Sequence, residues 1–209
     1  MSAPEWLDPS RAALLFFDML NGHVKKDDPE TKARYAPVIA SAVRLLEAAR
    51  RGGMVVMYAA AHHRPDNATS AHLATDTDNR LRPLAAGASR ESRPVVAAGT
   101  WEAQVIDELK PQPQDYMIPK FRWSAFHQTY LDLALRNRNI NTLVISGGST
   151  DVGVASTAYA ARDLDYNLVI VSDACTSPEQ DNHAQFMRRI FPRMARVRTT
   201  AQVLAMLVT

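Results

Sequence analysis

Gly147-Gly148-Ser149-Thr150-Asp151-Val152-Gly153-Val154-Ala155-Ser156-Thr157 joins the end of an apolar run, Asn141 to Ser146, to a segment with helical spacing. A buried strand that passes through a glycine-rich turn into a helix is the unit from which parallel α/β sheets are assembled. The turn holds one glycine that local propensity does not account for. Gly153 falls in the first turn of the helix, where glycine costs about 0.5–1 kcal/mol relative to alanine. Something near it needs the room a side chain would fill, and a ligand against the backbone is one reason.

On either side of this turn, short apolar runs alternate with helical patterns: Ala12 to Phe17, Met54 to Ala59, Tyr116 to Ile118, Thr142 to Ser146, Leu168 to Val171 and Arg196 to Arg198. The alternation predicts an α/β fold, a six-stranded parallel sheet covered on both faces in a three-layer αβα, Rossmann-like arrangement. Val38, Ala42, Leu45 and Ala49 give the first long helix one apolar face, with Pro37 near its start and Gly52 or Gly53 just past its end. His62 to Ala98 is the least regular stretch, with a weak helical signal only over Ala71 to Leu84, and reads as an excursion over the active-site end. Thr100 is the expected N-cap of a short helix in Thr-Trp-Glu-Ala-Gln-Val-Ile-Asp-Glu-Leu, after which Lys-Pro-Gln-Pro-Gln-Asp turns the chain into the third strand. Nothing divides the chain, so one domain spanning 1–209, with its core at about 11–207, is expected.

The 209 residues, 46% hydrophobic, suffice for one sizeable core. A formal charge of +2, from 24 basic and 22 acidic residues spread along the chain, leaves no basic patch and argues against nucleic acid as a partner. No apolar stretch is long enough to span a bilayer, and the first ten residues lack a secretory signal, so a soluble cytoplasmic protein is expected. The single cysteine, Cys175, rules out an intramolecular disulfide and reads as a packing residue. Met19, Met117 and Met187 read as core or pocket filler. With no G-x-G-x-x-G or Walker A pattern, no nucleotide cofactor is expected.

Asp18, Lys120 and the Gly147-Gly148 pair each close a predicted strand, and open parallel sheets form their ligand crevice at those carboxyl ends. A lone Asp there is as often a turn residue, and a lone Lys is usually solvated. Their joint placement beside the glycine-rich turn favours function. Asp18, enclosed by Phe16, Phe17 and other apolar residues, is the candidate acid–base group, and Lys120 orients it or an anionic substrate group. Backbone N–H groups of Ser149 and Gly153, at a helix N-terminus, are placed to stabilise negative charge on a substrate oxygen. Thr150 reads equally as a plain N-cap or as part of that turn, with Thr157 bracing the interior side of the helix. His62 and His63 follow the second strand and can face the pocket, and Trp101, Phe121, Trp123, Phe126 and His127 are candidate pocket walls, each aromatic being as readily a core or subunit-interface residue.

Taken together, "ALLFFDML" ending its strand in Asp18, "IPKFRWSAFHQTYLDLAL" and "GGSTDVGVAST" resemble the isochorismatase-like hydrolases, the superfamily that includes nicotinamidases and other cysteine hydrolases, over about Arg11 to Leu207. The resemblance implies an Asp, Lys, Cys triad, matched by Asp18 and Lys120 but with Gly153 where the nucleophilic Cys would stand. It also implies a cis Gly148–Ser149 peptide, a small-molecule substrate, no cofactor, and a homodimer or homotetramer. Metal sites of nicotinamidase type place an Asp two residues before a His, whereas Ala60 and Ala61 precede His62 and His63 at that distance, and His72 lies in the irregular excursion; no metal is expected. Without a protein nucleophile two routes remain: assisted hydrolysis of an enol ether, as the resemblance implies for members with Gly at that position, or activation of water against an amide or ester. The former members carry Tyr-Ala-His where this chain has Ser149-Thr150-Asp151, which argues against isochorismate itself. The competing expectation, from another class, is a superfamily member that lost catalysis with its Cys and binds a metabolite or protein; retention of both Asp18 and Lys120 weighs against it.

Overall fold

Ala12–Phe17 (β1) is buried at all six positions, which only a strand inside a sheet covered on both faces achieves. In the computed structural model, which describes residues 5–66, 68–69 and 96–207, β1 lies between Val55–Ala61 (β2) and Thr142–Gly148 (β4). Tyr116–Lys120 (β3) flanks β2, while Asn167–Thr176 (β5) and Arg196–Arg198 (β6) continue beyond β4. All pairings are parallel, in the order β3-β2-β1-β4-β5-β6. The chain thus winds outward from β1 in one direction and from β4 in the other. Such a reversal leaves a crevice at the carboxyl ends of the two central strands.

Alternation along each strand sends Leu14, Phe16, Tyr58, Val144 and Val169 to one face and Ala13, Leu15, Phe17, Met57 and Ile145 to the other. The first face is covered by Pro29–Arg51 (α2) and Thr200–Met206 (α6). Leu131–Asn137 (α3) and Ala155–Asp163 (α4) cover the second. The result is the three-layer α/β fold. Short helices Asn21–Val24 (α1) and Gln180–Gln185 (α5) lie near the crevice.

Four local expectations are corrected. Helix α2 starts at Pro29, not near Pro37, because Asp28 accepts from Thr31 N at 2.8 Å and Pro29 occupies the first helical position; Pro37 lies inside. Strand β5 runs on to Thr176, since a register shift opposite Ile145 to Gly147 lets it absorb the polar Ser172 and Asp173, and Asp173 Oδ1 accepts from Thr200 N at 2.7 Å at the start of α6. Cys175 therefore lies within β5, paired with Gly147. The short helix expected after Thr100 is two 3-10 turns, Trp101–Ala103 and Asp107–Leu109. Between them Val105 bridges Leu20, and Ile106 N donates to Met19 O at 3.1 Å, pulling the backbone straight. Thr100 Oγ1 donates to Ala97 O instead of capping. The weak helical signal over Ala71 to Leu84 and His72 lie outside the described residues.

Candidate active site

At the end of β1 the backbone turns sharply, with Asp18 at φ 49°, in the left-handed region that Asp tolerates better than most residues. Asp18 N donates to Ala59 O at 2.9 Å, and Asp18 Oδ1 accepts from Ala61 N at 3.0 Å, so β2 holds both ends of the residue. Its Oδ2 meets Lys120 Nζ at 2.7 Å. Lys120, the last residue of β3, is only 6% exposed, and its ammonium also lies over the Phe17 ring, 4.6 Å from the centroid. Two opposite charges withdrawn from water at this distance hold each other in place far more strictly than a surface pair.

Strand β4 delivers the second half of the site. Gly147 has φ 123°, and a Cβ there would stand 2.1 Å from Phe17 O, so only glycine lets β4 pass β1 at this point. The following Gly148–Ser149 peptide is cis. Gly148 lies against Tyr35 of α2, where a Cβ would stand 2.8 Å from the phenol oxygen. Thr150–Val154 forms a wide π turn before α4, an irregularity frequent at functional sites. Thr150 is fully buried and does not cap; its Oγ1 is 2.9 Å from His183 Nδ1. Asp151 ties the turn to the chain after β5: its Oδ1 accepts from Ser149 Oγ (2.5 Å) and Ser177 Oγ (2.6 Å), and its Oδ2 from Asn182 Nδ2 (2.8 Å). Burial opposes ionisation of Asp151, but these donors outweigh it and hold the carboxyl below its usual range.

The room at Gly153 is taken by protein. A Cβ there would stand 2.1 Å from Phe17 Cε1 and 2.4 Å from Cζ, so the ring, not a ligand, occupies the space a side chain would fill. Phe17 is thereby in contact with Gly153, Gly147 and Lys120 at once. Thr157 is fully buried, and its Oγ1 accepts from Ala125 N at 3.0 Å, tying α4 to the chain after β3. Cys175, also buried, directs its thiol to Ile145 O, and burial pushes the thiol up to about 12.

The structure thus brings Asp18, Lys120, Gly148, Ser149, Thr150 and Gly153 to one end of the sheet. Among the expected pocket walls, Phe121 directly follows Lys120 and meets the His63 ring edge-on, with 6.1 Å between centroids. His62 and His127 are exposed, Trp123 is 69% exposed, and Phe126 stacks on Tyr166 at the amino-terminal entry of β5. Trp101, 55% exposed, contributes its carbonyl to Asn21 Nδ2 at 3.1 Å. His62 lines a cleft of about 680 Å3 with Ala60, Thr100, Val105, Asp107 and Met117. Neither Asp18 nor Lys120 lines that cleft. Two histidines stand near the ion pair: His63, which the sequence already offered beside His62 as able to face the pocket, and His23, which it did not single out. His23, on α1, and His63, just past β2, both feel the charges of Asp18 and Lys120, and burial lowers the pKa of each. Among the described residues His63 Nδ1 is a buried nitrogen with no hydrogen-bond partner. Period-2 alternation from Ala59 through Ala61 to His63 was the available signal for choosing it over His62. Among the described residues no group of three or more His, Cys, Asp or Glu stands ready to hold a metal ion, and no helix is long and apolar enough to cross a membrane.

A three-layer parallel sheet with an Asp–Lys pair and a cis-peptide turn at its switch point defines a class of α/β proteins, and comparison with known proteins places the chain within it. Residues 12–202 match the Isochorismatase domain family, and the chain belongs to that family. It is 32% identical to the isochorismatase family protein YwoC of Bacillus subtilis over 95% of each chain. An isochorismatase family protein from Burkholderia thailandensis superposes with a TM-score of 0.81 and 32% identity, over 99% of this chain and all of that one. N-carbamoylsarcosine amidase from Thermoplasma acidophilum superposes at 0.69, with 25% identity over 91% of this chain and 96% of its own.

Proposed function

We propose that this chain hydrolyses a small organic molecule at the carboxyl ends of β1, β3 and β4. In this reading Asp18 is the acid–base group, Lys120 its partner, and the Gly148 to Gly153 turn the source of N–H groups for developing negative charge. The observation that carries it is the 2.7 Å contact between Asp18 and Lys120 in a setting largely closed to solvent. A pure binder has little use for a withdrawn acid–base pair, which is costly to bury. Family membership and the amidase among its structural relatives support hydrolysis as the reaction class.

No protein nucleophile is needed. Position 153 carries no side chain, and the thiol of Cys175 is buried and protonated. For an amide or ester, Asp18 takes a proton from water while the water oxygen bonds to the carbonyl carbon. N–H donors of the turn receive the oxyanion, the bond to the leaving group breaks, and Asp18 returns the proton to that group. For an enol ether the order reverses: protonated Asp18 gives its proton to the vinyl carbon, water adds to the oxocarbenium carbon and passes one proton to the carboxylate, and the hemiketal C–O bond breaks as its hydroxyl proton goes to the leaving alcohol.

The test is a screen of the purified protein against amides, esters and enol ethers, with Asp18→Asn as control. Turnover that falls about 100-fold or more in the control is the expected result, the usual scale of general acid–base assistance. Equal turnover in both proteins would remove Asp18 from the chemistry. Tight binding of a metabolite with no turnover of any class would assign the chain to the non-catalytic members instead.

A further inference from the structure

The Phe17 ring contacts both halves of the site. It is 1% exposed, its Cε1 and Cζ edge faces Gly153, and the Lys120 ammonium lies over it. A lysine withdrawn from water must replace its hydration, and Asp18 Oδ2 is its ion-pair partner. The negative face of an aromatic ring attracts such a cation with about 0.5–2 kcal/mol, more when water is excluded. The ring cannot be exchanged for aliphatic bulk without losing that attraction. Nor can it stay where it is if Gly153 acquires a side chain, since a contact of 2.1 Å is far inside any non-bonded carbon–carbon separation.

We propose that Phe17 is a positioning residue of the site: seated on Gly153, its ring holds the Lys120 ammonium against Asp18, and Phe17 and Gly153 form one matched pair. The glycine in the first turn of the helix is thereby explained from within the protein. The consequence is specific. A methyl group at position 153 meets the Phe17 ring first, at 2.1 Å, and disturbs Lys120 through the displaced ring. This rests on the reading of Asp18 and Lys120 as the acid–base pair, but it concerns how the lysine is held and is testable without a substrate.

Four proteins are compared: wild type, Phe17→Leu, Gly153→Ala and the double variant. Ile145→Val serves as a control that trims the same core layer. Competitive labelling with acetic anhydride, mapped by mass spectrometry, reads Lys120 against the exposed Lys32 in each sample. Lys120 labelling is expected to rise about fivefold or more in Phe17→Leu and in Gly153→Ala, the scale of a lost cation–π contact, and to stay at the wild-type ratio in Ile145→Val. Thermal unfolding is expected to show coupling, with Gly153→Ala lowering Tm markedly in the wild-type background and little in Phe17→Leu. If Gly153→Ala fails to fold, the Phe17→Leu labelling still decides. Labelling in Phe17→Leu that matches Ile145→Val, or additive shifts in Tm, overturns the proposal. Failure of the hydrolase reading is seen separately, as turnover unaffected by Asp18→Asn.

Discussion

Asp18 and Lys120 make their 2.7 Å contact across an intervening strand: Asp18 follows β1, Lys120 ends β3, and β2 runs between them. The ammonium reaches over Ala61, whose N–H already binds the other carboxylate oxygen. Lys120→Met should therefore leave the carboxylate withdrawn from water without its counter-charge, at a cost of about 3–5 kcal/mol. Urea unfolding of Lys120→Met, Asp18→Asn and the double variant checks this; the double should cost clearly less than the two singles added.

Gly153→Cys should destabilise the fold without creating a working nucleophile. Its Cβ would collide with Phe17, and overpacking of a filled core costs about 1–3 kcal/mol or more. A lowered Tm, with no gain in amidase turnover, is the expected measurement.

Cys175 should be inert in the native state. Its pKa, pushed up to about 12 by burial, leaves almost no thiolate at pH 8, and the side chain is enclosed. Iodoacetamide should alkylate it only after unfolding, and Cys175→Ala should leave any turnover unchanged. A covalent adduct trapped on Cys175 during turnover would contradict this.

Stability should fall as the solution is acidified below neutrality. His23, His63 and His183 have pKa values lowered from 6.5, chiefly by burial, so the folded form binds protons less readily than the unfolded chain. Their contribution is complete above about 6.5 and is lost as pH falls through the folded values. Asp151, also lowered, adds a second loss below its ordinary 3.8. Tm measured from pH 8 to pH 4 should show the first decline, and His23→Asn should flatten it.

Thr157→Val should cost about 1–3 kcal/mol, because the buried Ala125 N–H would lose its acceptor while the shape of the core is kept. Denaturant unfolding checks it.

The strand runs, the helical faces and the strand-end positions of Asp18, Lys120 and Gly147-Gly148 could be read from the chain because burial imposes local periodicities of 2 and 3.6 residues. The oddness of Gly153 was equally legible, since a glycine in a helix conflicts with propensity at that one place. Its cause was not. Phe17 and Gly153 are far apart in sequence, and their contact depends on the register that sets Phe17 beside Gly147, which no local pattern encodes. The extended Gln104 to Ile106 segment depends likewise on pairing with Met19 to Asn21, which overrides its helical composition. The aromatic residues Trp123 and Phe126 looked alike as pocket walls, because hydrophobicity states that a ring gains from burial but not where. Sequence by itself therefore determined the layers, the sheet and which strand ends meet at the candidate site; only tertiary structure decided which ring fills the space at Gly153 and that His23 stands near the ion pair, because those are contacts between segments whose mutual register is set by the whole core.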